Sequence, residues 1–335
     1  MSSNGIKPTQ IKALIDTPLT IGAVTVPNRV MMSPMSQRRA TLDGRATDWH
    51  LVHYGSRAVG GVGLIMIEDC AVQENGRLGL HGLGLYLDGQ QGALARVVDF
   101  CHEAGAAVGI QLGHAGRKAY SRDPAWSGKA VAPSRVAYAE DWRMPRALDA
   151  GEVRAFIDAF GAAATRAVVA GIDVVEVHAA HGYLLHEFLA PSANLRTDEY
   201  GGTDGGRRLL FQVVDRVRAA IGDRALAVRL SVSTIGNGDF AVQDAVLLSR
   251  ELSEHGVDLI DASAGGLVEP INQRPVFDQP KVAGMIRLGA RISTIGVGGV
   301  HGRAAAARLL ARGACDLVAV GRALLENPYV MRKPS

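Results

Sequence analysis

The chain is 335 residues long, 47% hydrophobic, and carries a formal net charge of only +3. Lysines and arginines are interspersed with acids, so no basic tract of the kind that grips nucleic acid stands out, and no apolar run reaches the roughly 18 residues of a membrane span. Three isolated cysteines (Cys70, Cys101 and Cys315) without CxxC spacing, and an N-terminus without an apolar signal core, predict a reduced, cytoplasmic protein.

Residues 19–26 read as a short hairpin turning near Gly22. Apolar segments of strand composition then recur at 29–33, 63–68, 107–112, 172–177, 226–230, 257–261, 292–297 and 316–320. Amphipathic stretches lie between them, among them 91–104, 152–170, 205–221 and 242–255, and Gly closes several of them, as at Gly105, Gly171 and Gly256. Forty glycines, against an average share of roughly 7%, suit many tight strand-to-helix turns. Eightfold strand–helix alternation predicts an α/β fold, a (β/α)8 TIM barrel filling residues 1–335 as one domain. The rival is a doubly wound open sheet, but no G-x-G-x-x-G follows the early strands. The connection over 113–149 is long and carries Trp126 and Trp142, which predicts a lid after the third strand.

His178-Ala-Ala-His181-Gly-Tyr183 ends the fourth strand, before a short helical stretch stopped by Pro191. Two imidazoles and a phenol thus fall on the C-terminal lip of a barrel strand, where such folds place their chemistry. Zinc would need a third protein ligand, and no HExxH or second His/Cys cluster supplies one, so no metal is expected. The bland alternative is a pair of hydrogen-bonded structural histidines.

Other strand ends add Ser33, Pro34, Met35 and Ser36 after the first, Gln111 after the third and Arg229 after the fifth. Gly298 and Gly299 follow the seventh, and Gly321 and Arg322 the eighth. Glycine-rich ends on the last two strands either simply turn the chain or cradle a phosphate, with Arg322 adding a bidentate contact. A phosphate there, with an amide and a guanidinium deeper in the mouth, suits flavin mononucleotide. Gln111 can pair with the ring's donor–acceptor edge, and Arg229 either stabilises negative charge near flavin N1 or forms a buried ion pair with Glu176 or Asp261. His178 and His181 can donate to one carbonyl oxygen, polarising an enone for hydride arrival at its β-carbon, with Tyr183 protonating the α-carbon.

These residues resemble the old yellow enzyme family of FMN-dependent ene-reductases, most of all its bacterial YqjM-type branch. The resemblance runs from about Leu19 to Tyr329 and is carried by 178–184, 194–202, Gln111-Leu-Gly-His-Ala-Gly-Arg-Lys118 and Asn28-Arg-Val-Met-Met-Ser-Pro-Met35. It implies FMN at the barrel mouth, NADPH or NADH as hydride donor, and reduction of the activated C=C bond of unsaturated carbonyl compounds. It implies that Ser33, Pro34, Met35, Gln111 and Arg229 meet the flavin, and that Gly298, Gly299, Gly321 and Arg322 hold its phosphate. His178 and His181 become the carbonyl-binding pair and Tyr183 the proton donor, with Lys118 among the substrate contacts and a homo-oligomer, dimer or tetramer, as the assembly.

The chain departs from the branch at the mouth. Ser36 and Arg38 stand where a cysteine and a tyrosine are usual, and Asp69 where a small residue lies near the flavin. Arg38 either pairs with Asp69, receives an acidic group of the substrate, or lies in solvent. The sequence ends soon after the last strand, at Pro334-Ser335, so the segment with which this branch completes a neighbour's pocket is expected to be short. The second functional reading runs the flavin in reverse, as a dehydrogenase or desaturase of a cyclic or acyl-thioester substrate.

Overall fold

A computed structural model of the chain describes residues 14–119, 130–232, 241–267 and 278–333. Its strands are β1 (Leu19–Ile21), β2 (Val24–Val26), β3 (Val30–Met32), β4 (Leu64–Ala71), β5 (Ala107–Gly113), β6 (Val131–Ala132), β7 (Arg146–Ala147), β8 (Val174–Ala179), β9 (Ala225–Ser231), β10 (Leu259–Ser263), β11 (Ser293–Val297) and β12 (Leu317–Val320). Eight of these close into a parallel barrel in the order β3-β4-β5-β8-β9-β10-β11-β12, with β12 returning to β3. The expected (β/α)8 barrel is therefore the fold.

The helices are α1 (Asp48–Val59), α2 (Gln91–Glu103), α3 (Ala150–Val169), α4 (Leu184–Leu189), α5 (Gly202–Ile221), α6 (Val242–Glu254), α7 (Gln279–Ala290), α8 (Arg303–Ala311) and α9 (Arg322–Glu326). Gly105, Gly171 and Gly256 take positive φ just past α2, α3 and α6, as a left-handed helix stop requires. Asp149 caps α3 by accepting from the Glu152 N–H at 2.8 Å, while the Glu152 carboxylate accepts from the Asp149 N–H at 2.9 Å. Among the described residues no helix is long and apolar enough to cross a membrane.

Side chains alternate across each strand, so every barrel strand feeds two different cores. Outward residues such as Ile65, Val108, Val175, Val228 and Ile260 pack under the helices. Inward residues Met31, Leu64, Met66, Val174, Leu259 and Leu317 fill the lower barrel, and Ile21 and Val26 of the hairpin join them. The hairpin β1–β2, which turns at Gly22 as expected, plugs the N-terminal end.

The insertion after β5 holds a small parallel pair, β6 with β7. Trp142 lies in it among the described residues; Trp126 and the terminal Pro334-Ser335 lie outside them.

Candidate active site

Followed upward, the inward positions change character. On β8 they run Val174, Glu176, His178; on β9, Ala225, Ala227, Arg229, Ser231; on β10, Leu259, Asp261, Ser263. Register sets Gln111 of β5 beside Glu176, His178 beside Arg229, and Arg229 beside Asp261. A polar layer thus lies above the apolar plug. The Gln111 side-chain NH2 donates to the Glu176 carboxylate at 2.7 Å, and Arg229 pairs with Asp261 at 3.1 Å. Burial and the Asp261 charge push the Glu176 carboxyl upward, opposed by Arg229 and the Gln111 bond. The ion pair entertained for Arg229 is present, on Asp261, and its guanidinium still reaches the mouth.

His178 lies within β8, one residue before the strand ends, rather than on the turn beyond it. His181 (φ +59°) and Gly182 (φ +68°) then turn the chain back. A Cβ at Gly182 would sit 2.1 Å from the Gly266 carbonyl oxygen, so glycine alone allows this approach to the loop after β10. The Ala180 N–H donates to His178 Nδ1 at 3.2 Å, and His178 Nε2 faces His181 Nδ1 at 3.2 Å. His181 Nε2 lies 2.7 Å from the Ser263 hydroxyl, while the His181 N–H donates to the Ser231 hydroxyl at 2.9 Å. Burial, reinforced by Arg229, holds both imidazoles well below the usual histidine range, so both are neutral near pH 7. Tyr183 stacks edge-on to His178, ring centres 4.9 Å apart. Burial first, then the Asp69 carboxyl, push its phenol above the ordinary value.

Above this layer opens a cleft of about 420 Å³. Gln111, His178, His181, Tyr183 and Arg229 form part of its lining, with Ser33, Pro34, Met35 and Ser36 from the turn after β3. Gly298 and Gly299, then Gly321 and Arg322, form the opposite side. Gly298 (φ +128°) and Gly299 (φ +65°) take backbone angles other residues avoid, and beside Gly299 there is open space where a side chain would go. Arg322 is exposed, with no ion pair among the described residues.

Asp69 reaches this cleft by an irregularity. The β4–β5 register shifts between Ile67 and Cys70, which reverses the alternation there. Glu68 faces outward, where its carboxylate meets the Tyr54 hydroxyl at 3.3 Å and the Gln37 N–H at 2.8 Å. Asp69 faces the cleft over Gly113, where a Cβ would stand 2.0 Å from its Oδ1. That oxygen is buried without a partner among the described residues, and burial together with Glu68 raises the carboxyl to about 7.

Two residues expected to touch substrate do not line the cleft. Arg38 is exposed at φ +53°, with no ion pair to Asp69 among the described residues. Lys118 commits its ammonium to the carbonyls of His181, at 2.6 Å, and Gly266. These two bonds brace the histidine turn.

Sequence reasoning missed Ser231 and Ser263, which hold His181, and Leu78, Gln279, Val300 and His301, which also line the cleft. Ser263 ends β10, and the strand-end rule applied there would have found it.

An apolar lower barrel, a polar layer and an open, glycine-walled mouth fit FMN. The unpartnered Ser33 hydroxyl, the space beside Gly299 and the unpaired Arg322 are sites its ring and phosphate tail would satisfy. Known proteins point the same way. The family model described as NADH:flavin oxidoreductase / NADH oxidase matches residues 15–334. The NADPH dehydrogenase of Geobacillus sp. (strain WCH70) is 40% identical over 322 residues, covering 95% of this chain and 93% of that protein. That of Bacillus subtilis (strain 168) is 41% identical over 319 residues, 94% and 92% of the two chains. The solved old yellow enzyme homologue from Zymomonas mobilis has a TM-score of 0.81 at 31% identity, covering 94% of this chain and 90% of that one.

Fold and site thus define a barrel flavoenzyme, an FMN-dependent NAD(P)H oxidoreductase. The chain belongs to the NADH:flavin oxidoreductase / NADH oxidase family, that of the old yellow enzymes.

Proposed function

We propose that this oxidoreductase reduces the activated C=C bond of α,β-unsaturated carbonyl compounds. The observation that carries the reading is the convergence of His178, His181 and Tyr183 on the same cleft as the glycine-walled cradle. Storage of a flavin needs no paired imidazoles and no phenol. Ser33, Pro34, Met35, Ser36 and Gln111 would hold the ring with Arg229, while Gly298, Gly299, Gly321 and Arg322 hold the phosphate. FMN held by these residues would supply hydride chemistry, replenished from NADPH or NADH.

The protein's own groups do the rest. The imidazoles hold the carbonyl oxygen, which makes the β-carbon electrophilic and takes up the negative charge that develops on oxygen. Tyr183 keeps its proton near pH 7 and releases it to the α-carbon once that carbon gains electron density. Asp69, neutral below about 7, adds no charge to that event in acid. Arg38, exposed and outside the cleft lining, would offer its cation to an acidic group that projects from a bound substrate. An enoic acid should therefore be favoured over its neutral ester, and Arg38→Ala should abolish that preference. We further infer one barrel domain over residues 1–335, a cytoplasmic setting and a homo-oligomer.

The experiment is anaerobic. NADPH should bleach the flavin colour of the purified protein, and cyclohex-2-enone should restore it with one equivalent of cyclohexanone formed. A bleached protein that stays bleached with excess enone rejects the reading.

A further inference from the structure

Around His181 the proton positions can be deduced one by one. The Ala180 N–H donates to His178 Nδ1, so neutral His178 carries its proton on Nε2. That N–H points at His181 Nδ1, 3.2 Å away, which must then be bare. His181 therefore carries its proton on Nε2 and gives it to the Ser263 hydroxyl at 2.7 Å. In this arrangement His178 gives its one N–H to His181, and His181 keeps its own N–H turned to Ser263. Two donors for one carbonyl oxygen require His181 to change tautomer.

The two serines beside His181 differ in their freedom to allow this. Ser231 is committed: it accepts the His181 main-chain N–H and donates to the Gly265 carbonyl, both at 2.9 Å. The buried Ser263 hydroxyl contacts only His181 Nε2 among the described residues. A hydroxyl both donates and accepts, and turns at little cost. Burial keeps both rings neutral, so the change is one of tautomer and not of charge.

We propose that Ser263 is a positioning residue that sets the tautomer of His181, accepting from its Nε2–H in the absence of a carbonyl ligand and donating to bare Nε2 when one binds. The His181 Nε2–H bond breaks and an Nδ1–H bond forms. The Nε2 proton is lost to solvent and Nδ1 gains one from solvent when the ring and the Ser263 hydroxyl part transiently, so the proton count and the net charge are unchanged. His178 Nε2–H and His181 Nδ1–H, repelled by each other once both are donors, then converge on the entering oxygen. The ligand class this favours is a strongly accepting carbonyl; an alkene without one gives the switch nothing to work on.

This inference rests on the carbonyl-reducing reading, and its test separates the two. Oxidised holoenzyme carrying 15N-labelled histidine is titrated with cyclohex-2-enone without NADPH. His181 should pass from the Nε2–H to the Nδ1–H tautomer while His178 keeps Nε2–H. Ser263→Ala should weaken cyclohex-2-enone binding about fivefold to tenfold, the worth of one hydrogen bond. It should raise KM more than it lowers kcat, and Ser263→Thr, which keeps the hydroxyl, should restore both. An unchanged His181 tautomer in the enone complex, or Ser263→Ala binding the enone as tightly as wild type, overturns the proposal even if reduction proceeds. A tautomer change on binding without any turnover supports the proposal and removes the ene-reductase reading instead.

Discussion

The two ends of one barrel obey opposite rules. The lower end is filled by Met31, Leu64, Met66, Val174 and Leu259 and sealed by Ile21 and Val26; its inward positions are apolar and buried. Two residues further along the same strands stand Glu176, Arg229 and Asp261, all buried, with the histidine pair above them. The lower end gains stability by excluding water, about 1.5–3 kcal/mol for each large side chain. The upper end forgoes it, burying carboxyls and neutral imidazoles and leaving Ser33 Oγ, Asp69 Oδ1 and one Glu176 oxygen without partners among the described residues. Stability is concentrated at one end and chemistry at the other.

Variants at the two ends should therefore fail in different ways. The largest effect is expected at Tyr183→Phe, which should slow enone reduction about 10²–10⁴-fold while leaving flavin content and thermal stability near wild type. Stopped-flow reoxidation and a melting curve on the same sample check both halves. Met66→Ala, below, should do the reverse. Met66 packs inside the barrel against Gly109, where a Cβ would lie 2.7 Å from its sulfur. The cavity should cost about 2–5 kcal/mol in urea unfolding, with enone turnover at low temperature little changed.

Asp69 sharpens the contrast through pH. Its folded-state value is raised to about 7, so the folded protein binds this proton more tightly than the unfolded chain. Stability from this group is complete below the unfolded value of about 3.8 and is lost as pH rises to about 7, a cost of as much as about 4 kcal/mol above that. Asp69→Asn should thus gain stability over wild type between about pH 4 and pH 7, with the difference level at higher pH. A difference that does not change with pH would mean that Asp69 is ionised throughout. The smallest effect belongs to Asp149→Ala, which removes the cap of α3 outside the cleft lining and should cost about 1 kcal/mol in chemical denaturation, with activity untouched.

Most of this division was legible in the sequence, for a physical reason. Alternation and strand ends locate the mouth, because in a parallel barrel every strand delivers its last residues to the same end. Gln111, Arg229, Tyr183 and the Gly298–Gly299 turn followed directly. Asp69 was another matter, since simple alternation from Leu64 and Met66 would turn it outward; only the shifted register with β5 brings it in. Ser231 and Ser263 were passed over because a serine at a strand end carries no distinctive spacing. Lys118 belonged to a motif that fixes its place near the site but not the direction of its ammonium, which the carbonyls of His181 and Gly266 decide.

The central claim is that the glycine-walled mouth, and not any other part of the barrel, holds the flavin. FMN titrated into the flavin-free protein should bind one per chain in wild type and in Met66→Ala. Binding should be lost or weakened by at least about tenfold in Gly299→Val, which puts a β-branched side chain into the left-handed region and into the cradle. Unchanged FMN affinity in Gly299→Val would contradict the account.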